Sequence, residues 1–442
     1  MFFLCIKRRK NGGKKELIYD THEKPEIGKW IVLALQHVFA MFGATILVPL
    51  LVNEAAGAQV LTIPVALVTS GIGTLLYIIC TKGKSPVYLG SSFAYITPIV
   101  AAYTKGGISG FVTGIIGVGL IYILVSFIVK LFGKKWIDKL LPPVVIGPMI
   151  MVIGLTLAPS AVTQMGLAKG EFVLKNLAVA LVSFLMTAIV AVVAKGFFKI
   201  IPFLIGIISG YITAVILGMV DFSAVATASF FEIPKILIPF KDYSFSLVGF
   251  LTIAPIALVT IAEHIGDHMA LSAIIKKDLI KDPGLEKTLL GDGVASVAAG
   301  LLGGPANTTY GENTSVVGMT KVASVWVIGL AAIIAICMGF LGKVTTIFNT
   351  IPQPVLGGVS LLLYGFIAVN GLKVLVKNQI DFEDVRNVII ASTMLVLGLG
   401  GAALTIKTGN ISVGISGMSL SAIVGILLNL FLPKTKDMKI QK

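Results

Sequence analysis

Charge is scarce in this chain. Of its 442 residues only 13% are charged, and 21 acidic side chains face 35 Lys and Arg. A soluble domain could not hide a sequence that is 56% hydrophobic with a mean hydropathy of +0.98, so a soluble fold is excluded. Cysteine is nearly absent. Cys5, Cys80 and Cys337 lie far apart and match no disulfide or metal spacing. Histidine is almost as rare: beyond His22 and His37, His264 and His268 share a helix face, but no HExxH pattern or Cys cluster completes a ligand set. No metal and no other cofactor is expected. One of the paired histidines is expected to pack against a neighbour and the other to lie near the cytoplasm. An intramembrane aspartyl protease would need GxGD, and neither Ile265-Gly266-Asp267 nor Leu290-Gly291-Asp292 supplies the first Gly.

What the chain does have is apolar runs, with 48 glycines that let spanning helices approach closely. Measured against the roughly 20 residues a helix needs to cross a bilayer, they predict about fourteen membrane elements. The first half reads 29–51, 58–80, 86–102, 108–132, 142–159, 173–194 and 199–219. The second reads 246–275, 286–303, 307–320, 322–342, 353–372, 387–404 and 412–432. The expected fold is an all-α polytopic membrane protein. An amphipathic stretch at 220–245 is expected at the outer face.

The basic residues orient these segments. With the N-terminus inside, 28 of the 35 Lys and Arg fall on the cytoplasmic side, leaving Lys105, Lys169, Lys175, Lys235, Lys241, Lys343 and Lys407. Such a bias places both termini in the cytoplasm and explains the basic charge without nucleic acid. Met1-Phe2-Phe3-Leu4-Cys5 precedes the basic run Lys7-Arg8-Arg9-Lys10, the reverse of a signal peptide, so an uncleaved cytoplasmic tail is expected.

A weak internal repeat divides the chain. Leu35-Gln36-His37 resembles Ala262-Glu263-His264, Leu89-Gly90-Ser91-Ser92 resembles Tyr310-Gly311-Glu312-Asn313, and Pro143-Val144 resembles Pro354-Val355, at offsets of 227, 221 and 211. Halves of seven segments must have opposite orientations, because seven is odd. Inverted repeats of this kind hold substrate near the midplane, at interrupted helices. The interrupted elements are 86–102 and 307–320, each with extended backbone expected before a short helix. Two half-helix starts meeting there would present free backbone N–H groups to a ligand.

Three acids fall where charge is expensive. A central charge costs about 2.5–3.5 kcal/mol on insertion scales, so such residues usually mark a substrate or ion path. Glu263 follows the apolar run 252–262, Asp267 lies one helical turn further on, and Glu312 opens the half-helix at 312–320. The blander alternative is a solvated helix end for Glu263 and Asp267, with Lys276 and Lys277 just beyond. Asp292, in Gly291-Asp292-Gly293, reads equally as a cap, a loop residue or a coupling residue. Asn313 and Thr320 read as cap, packing or supporting residues.

The stretches Gln36 to Thr45, Leu89 to Phe93, Ala262 to Gly266 and Asn307 to Asn313 resemble the nucleobase–ascorbate transporter family, in its uracil permease branch, over roughly 29–432. The resemblance implies a core domain at 29–132 and 246–342 and a gate domain at 142–219 and 353–432, flanked by tails at 1–28 and 433–442. It implies proton-coupled uracil symport across the cytoplasmic membrane by a homodimer whose core moves against its gate. It further implies backbone N–H contacts at Phe93 and Gly311, carboxyl contacts at Glu263 and Glu312, and a site-lining Tyr310. Proton coupling would fall to Asp267 and Glu263. Uracil members often carry His where this chain has Asp267, and the signature usually has Gly in place of Ser315. Many xanthine members carry Gln in place of Glu312. A xanthine or purine permease of the same family is the alternative.

Overall fold

The apolar runs fold as helices because backbone N–H and C=O groups in hydrocarbon must be satisfied within the segment. The computed structural model describes residues 17–168, 173–408, 411–415 and 417–433. The basic run at 7–10, Lys169 and the tail from 434 onward lie outside the described residues.

The first half begins with α1 (Ile27–Ala56), which stops where Gly57 turns left-handed at φ 61° and donates to Asn53 O. Next comes α2 (Ile63–Cys80), whose Thr62 hydroxyl accepts from Val65 N–H at the start of the helix. The short strand β1 (Leu89–Ser91) leads through one 3₁₀ turn into α3 (Ile96–Phe132). Gly107 breaks α3 into two segments with φ 59°, ψ −150°. The half closes with α4 (Pro143–Gln164), α5 (Leu174–Val193) and α6 (Pro202–Ile216).

The second half repeats the order. It contains α7 (Leu247–Ile275), loosened into a 3₁₀ turn at Pro255, then α8 (Leu285–Leu301), β2 (Asn307–Thr309) and α9 (Gly311–Thr320). After α10 (Val325–Gly339) the chain bends by 79° into a short amphipathic helix, Gly342–Asn349. Then follow α11 (Gln353–Lys377), α12 (Val385–Leu399), a hairpin of β3 (Leu404–Thr408) and β4 (Ile411–Ile415), and α13 (Gly417–Phe431).

Counting the two parts of α3 separately, these are fourteen segments in two halves of seven. β1 and β2 hold the third place in each half and pair antiparallel, with Gly90 opposite Thr308. That is the relation an inverted repeat demands. Among the described residues, seven helices are long and apolar enough to cross a bilayer unaided, while α6, α12 and α13 are shorter apolar helices.

Packing sorts the segments into two groups. In one, α3 lies along α7 and α8, and α2 along α8 and α10, with α1 against α10. Backbones approach closely here: a Cβ on Gly119 of α3 would strike the Gly293 carbonyl of α8. In the other group, α4 packs along α11 and α12, and α5 along α6 and α11.

Three features depart from the expected segments. The run 412–432 begins as a strand, because the β-branched stretches Leu404–Thr408 and Ile411–Ile415 pair antiparallel, with Leu404 opposite Ile415. The stretch 220–245 is irregular, with one helical turn, Ser223–Thr227, and a tight turn between Pro239 and Tyr243, and it crosses the end of α8 through Leu237 N–H to Leu302 O. Residues from Leu17 onward are not a bare tail. Ile18 donates to Lys321 O, Tyr19 and Thr21 accept from Ala323 and Val325, and Lys277 binds Asp20 at 2.6 Å. This strap pins the loop that follows α9.

Candidate functional site

Two strands of three residues cannot satisfy their own outer edges inside a membrane, so neighbouring side chains do it. On the β1 side, Thr74 Oγ1 accepts from Leu89 N–H at 2.9 Å and Ser70 Oγ donates to Leu89 O at 2.7 Å. On the β2 side, Ser296 Oγ donates to Asn307 O, and Asn307 Nδ2 donates to Thr69 O at 3.0 Å. Tyr310 closes the crossing. Its N–H bonds Tyr88 O, and its hydroxyl lies 3.1 Å from both Ser91 O and Thr45 Oγ1. The ring crosses directly over Gly90, where any Cβ would collide with it.

The strands aim two helix starts at one place. A 3₁₀ turn begins at Phe93 and α9 begins at Gly311, and neither Ser92 nor Tyr310 caps the following N–H groups with its side chain. Phe93, Ala94, Gly311 and Glu312 line a cavity of about 500 Å³. Uncapped first-turn N–H groups beside a cavity are available to a ligand.

The acids complete the polar wall. Glu263 and Asp267 reach the cavity from α7, and Glu312 from α9. Glu263 lies within electrostatic reach of Asp267, Glu312 and Asp292. Asp267 is held by Thr309 Oγ1, which donates to Oδ2 at 2.8 Å. The opposite wall is apolar and comes from the other packing group: Ile153 of α4, Phe203 of α6, and Leu363, Phe366 and Ile367 of α11. Lys199, Asn370 and Lys373 line the cavity as well, and all three are exposed.

All six residues expected at the site line this cavity, but not in the same way. Tyr310 is 4% exposed and its hydroxyl is already engaged, so it builds the site more than it faces a ligand. Asn313 turns away from the cavity and donates to His37 O and Nδ1, both at 3.1 Å, tying α9 to α1. Thr320 donates to Val316 O within its own helix.

One expectation is corrected beneath the acids. Asp292 is neither cap nor loop. It is fully buried in mid-α8, and its Oδ2 lies 2.8 Å from His264 Nδ1. The glycines beside it serve packing, since a Cβ on Gly291 would meet the Tyr77 ring and one on Gly293 would meet α3. His268 is enclosed by protein, as His264 is. Both histidines are fully buried and stack with centroids 3.9 Å apart. The carbonyl of His264 can only accept, so His268 Nδ1 carries the hydrogen at 2.8 Å, and Nε2 faces the Tyr77 hydroxyl at 2.6 Å. His264 Nε2 meets Thr288 Oγ1 at 3.0 Å. Among the described residues, no group of three His, Cys, Asp or Glu side chains could hold a metal ion.

Sequence reasoning missed Thr309 as the partner of Asp267, although it lies in the quoted stretch 307–313. It also missed the apolar wall, which has no local signature.

Comparison with known proteins gives a consistent result. A model described as a permease family matches residues 28–407. The uracil permease of Bacillus caldolyticus is 49% identical over 419 residues, covering 94% of this chain and 95% of that protein. The uracil permease of Bacillus subtilis (strain 168) is 47% identical, covering 96% and 97%, and that of Escherichia coli (strain K12) is 41% identical, covering 92% of each. Solved structures share the fold, among them these two. The transmembrane domain of the cyanobacterial bicarbonate transporter BicA matches with a TM-score of 0.58 at 14% identity, covering 90% of this chain and 97% of that one. SLC26A9 matches with a TM-score of 0.67 at 12% identity, covering 92% and 66%.

Proposed function

This chain belongs to the nucleobase–ascorbate transporter family, a family of permeases and not of enzymes, and from that premise we propose that it imports uracil together with protons. The observation that carries the proposal is the pairing of carboxyls with free helix-start N–H groups around one cavity. Uracil is neutral and planar, with N–H donors and carbonyl acceptors alternating around its edge. A carboxylate at Glu263 or Glu312 accepts from a ring N–H, and a protonated carboxyl donates to a carbonyl. The N–H groups at Phe93 and Gly311 take the remaining carbonyl, and the Phe93 ring covers a face of the base. Tyr310 lines the site and sets its geometry.

Proton coupling is assigned to Asp267 and Glu263. They share a helix face, and Asp267 keeps its orientation through Thr309. The core, at 29–132 and 246–342, carries the polar wall. The gate, at 142–219 and 353–432, carries the apolar one, and their relative movement alternates access. The chain resides in the cytoplasmic membrane as a homodimer with both termini inside. In that orientation the exposed Lys199 and Lys373 lie on the Lys-rich cytoplasmic side, so the cavity opens inward.

Xanthine or a related purine is the second reading, favoured by Asp267 standing where uracil members often carry His. Labelled uracil uptake into permease-deficient bacteria separates the two. Accumulation abolished by a protonophore and by excess unlabelled uracil, but not by xanthine, supports uracil symport. No uptake from a chain present in the membrane discards it.

A further inference from the structure

Uracil and xanthine present the same alternation of N–H and C=O groups on their six-membered rings. The groups that match the six-membered ring therefore fit both bases, and the space beside them is a second means of discrimination. We infer that Phe203 is the specificity residue that limits the site to single-ring bases, an inference that rests on the uracil reading above.

Phe203 follows Pro202 at the start of α6, where the proline fixes the first helical position. Its ring packs edge-to-face on Phe366 with centroids 5.8 Å apart. The same side chain lines two spaces. One is the main cavity, and the other is a void of about 10 Å³ against Phe39, Gly43 and Ala44 of α1. Such a void has room for about one water. Glu312 also lines both spaces, so the partition stands directly beside a carboxyl assigned to the base. Behind the partition α1 presents the small residues Ala40, Gly43 and Ala44 between Phe39 and Leu47, and Gly43 packs against the Phe203 backbone side, where an added Cβ would lie 4.0 Å from Phe203 Cβ. Removing the phenyl ring would join the void to the cavity next to Glu312, and that added room is where we place the second ring of a purine. Leu363 also lines both spaces and shares the partition with Phe203.

The test uses membrane vesicles containing the wild type, Phe203→Ala or Phe203→Leu, with labelled uracil and labelled xanthine. The wild type is expected to carry uracil and exclude xanthine. Phe203→Ala is expected to carry xanthine and to lower its inhibition constant against uracil by about tenfold or more, in line with the gain from relieving a steric exclusion. Its uracil affinity should fall, because one wall is lost. Phe203→Leu keeps apolar bulk and should fold even if the Ala variant does not; it is expected to fall between the two. Wild-type uracil uptake with unchanged xanthine exclusion in the variants overturns the filter alone. Wild-type uptake of xanthine in place of uracil overturns both the filter and the uracil reading.

Discussion

Replacing Gly90 with Ala puts a methyl group into space that Tyr310 already fills. The added Cβ would lie against the ring, 2.6 Å from its hydroxyl oxygen, and Tyr310 is only 4% exposed, so the ring has nowhere to swing. Overpacking costs about 1–3 kcal/mol. Displacing the ring also breaks its hydroxyl contacts with Ser91 O and Thr45 Oγ1, each worth about 0.5–1.5 kcal/mol. Together the loss is about 2–6 kcal/mol, a large share of a typical margin of about 5–15 kcal/mol. The same shift moves the strands that deliver Phe93 and Gly311, so uracil binding should weaken as well. Thermal unfolding of the purified protein, paired with uracil titration, reads both effects. A lower midpoint and binding weaker by about tenfold, for each 1.4 kcal/mol of lost interaction, are expected. Tyr310→Ala in the Gly90→Ala background should recover part of the stability. A Gly90→Ala protein matching the wild type in both measurements would refute a tight crossing.

Other perturbations probe separate contacts. Asn313→Ala removes two bonds to His37; at about 0.5–1.5 kcal/mol each, the KM for uracil should rise about tenfold, and an unchanged KM would show that the α9–α1 tie does not shape the site. Gln164→Ala removes the bond from Gln164 Nε2 to Glu54 Oε2, which joins α4 to α1. It should favour the outward-open state by about 1.5–3 kcal/mol, read as slower thiol labelling of Ser315→Cys in the cavity, whereas faster labelling contradicts it. The strap has its own pH signature. Burial of the Asp20 carboxyl opposes ionisation, but the Lys277 ammonium and the Thr21 N–H outweigh it and hold the carboxyl below its ordinary value of 3.8. A depressed acid stabilises fully above its ordinary value and loses that contribution as pH falls through the lower one. Strap protection from proteolysis should therefore stay constant from pH 8 down to about 5, and loss of protection within that range would exclude the Asp20–Lys277 contact as its cause.

The parts of this protein that were legible in sequence are those where chemistry contradicts its surroundings. Glu263, Asp267 and Glu312 stood out as charges in apolar runs, and the segments around Leu89 and Asn307 stood out as polar, Gly-bearing breaks in corresponding positions. Packing hid the rest. Gly291-Asp292-Gly293 looks like a turn, because nothing local says that Tyr77 and α3 press on its glycines while His264 binds its acid. Nothing local to His268 shows that Tyr77, remote in sequence, meets its Nε2. Phe203 is an ordinary apolar residue whose significance comes only from facing Glu312 across a boundary between two packing groups. The Leu17 strap and the β3–β4 hairpin are short, and their partners are long-range or across a turn.

Counterflow in liposomes containing the purified chain tests the central claim most directly. Vesicles preloaded with unlabelled uracil and diluted into labelled uracil should accumulate label transiently, and the Glu312→Ala and Glu263→Ala proteins should show little or none. Absence of counterflow in the wild type, or undiminished counterflow in both variants, would contradict a uracil carrier built around these two carboxyls.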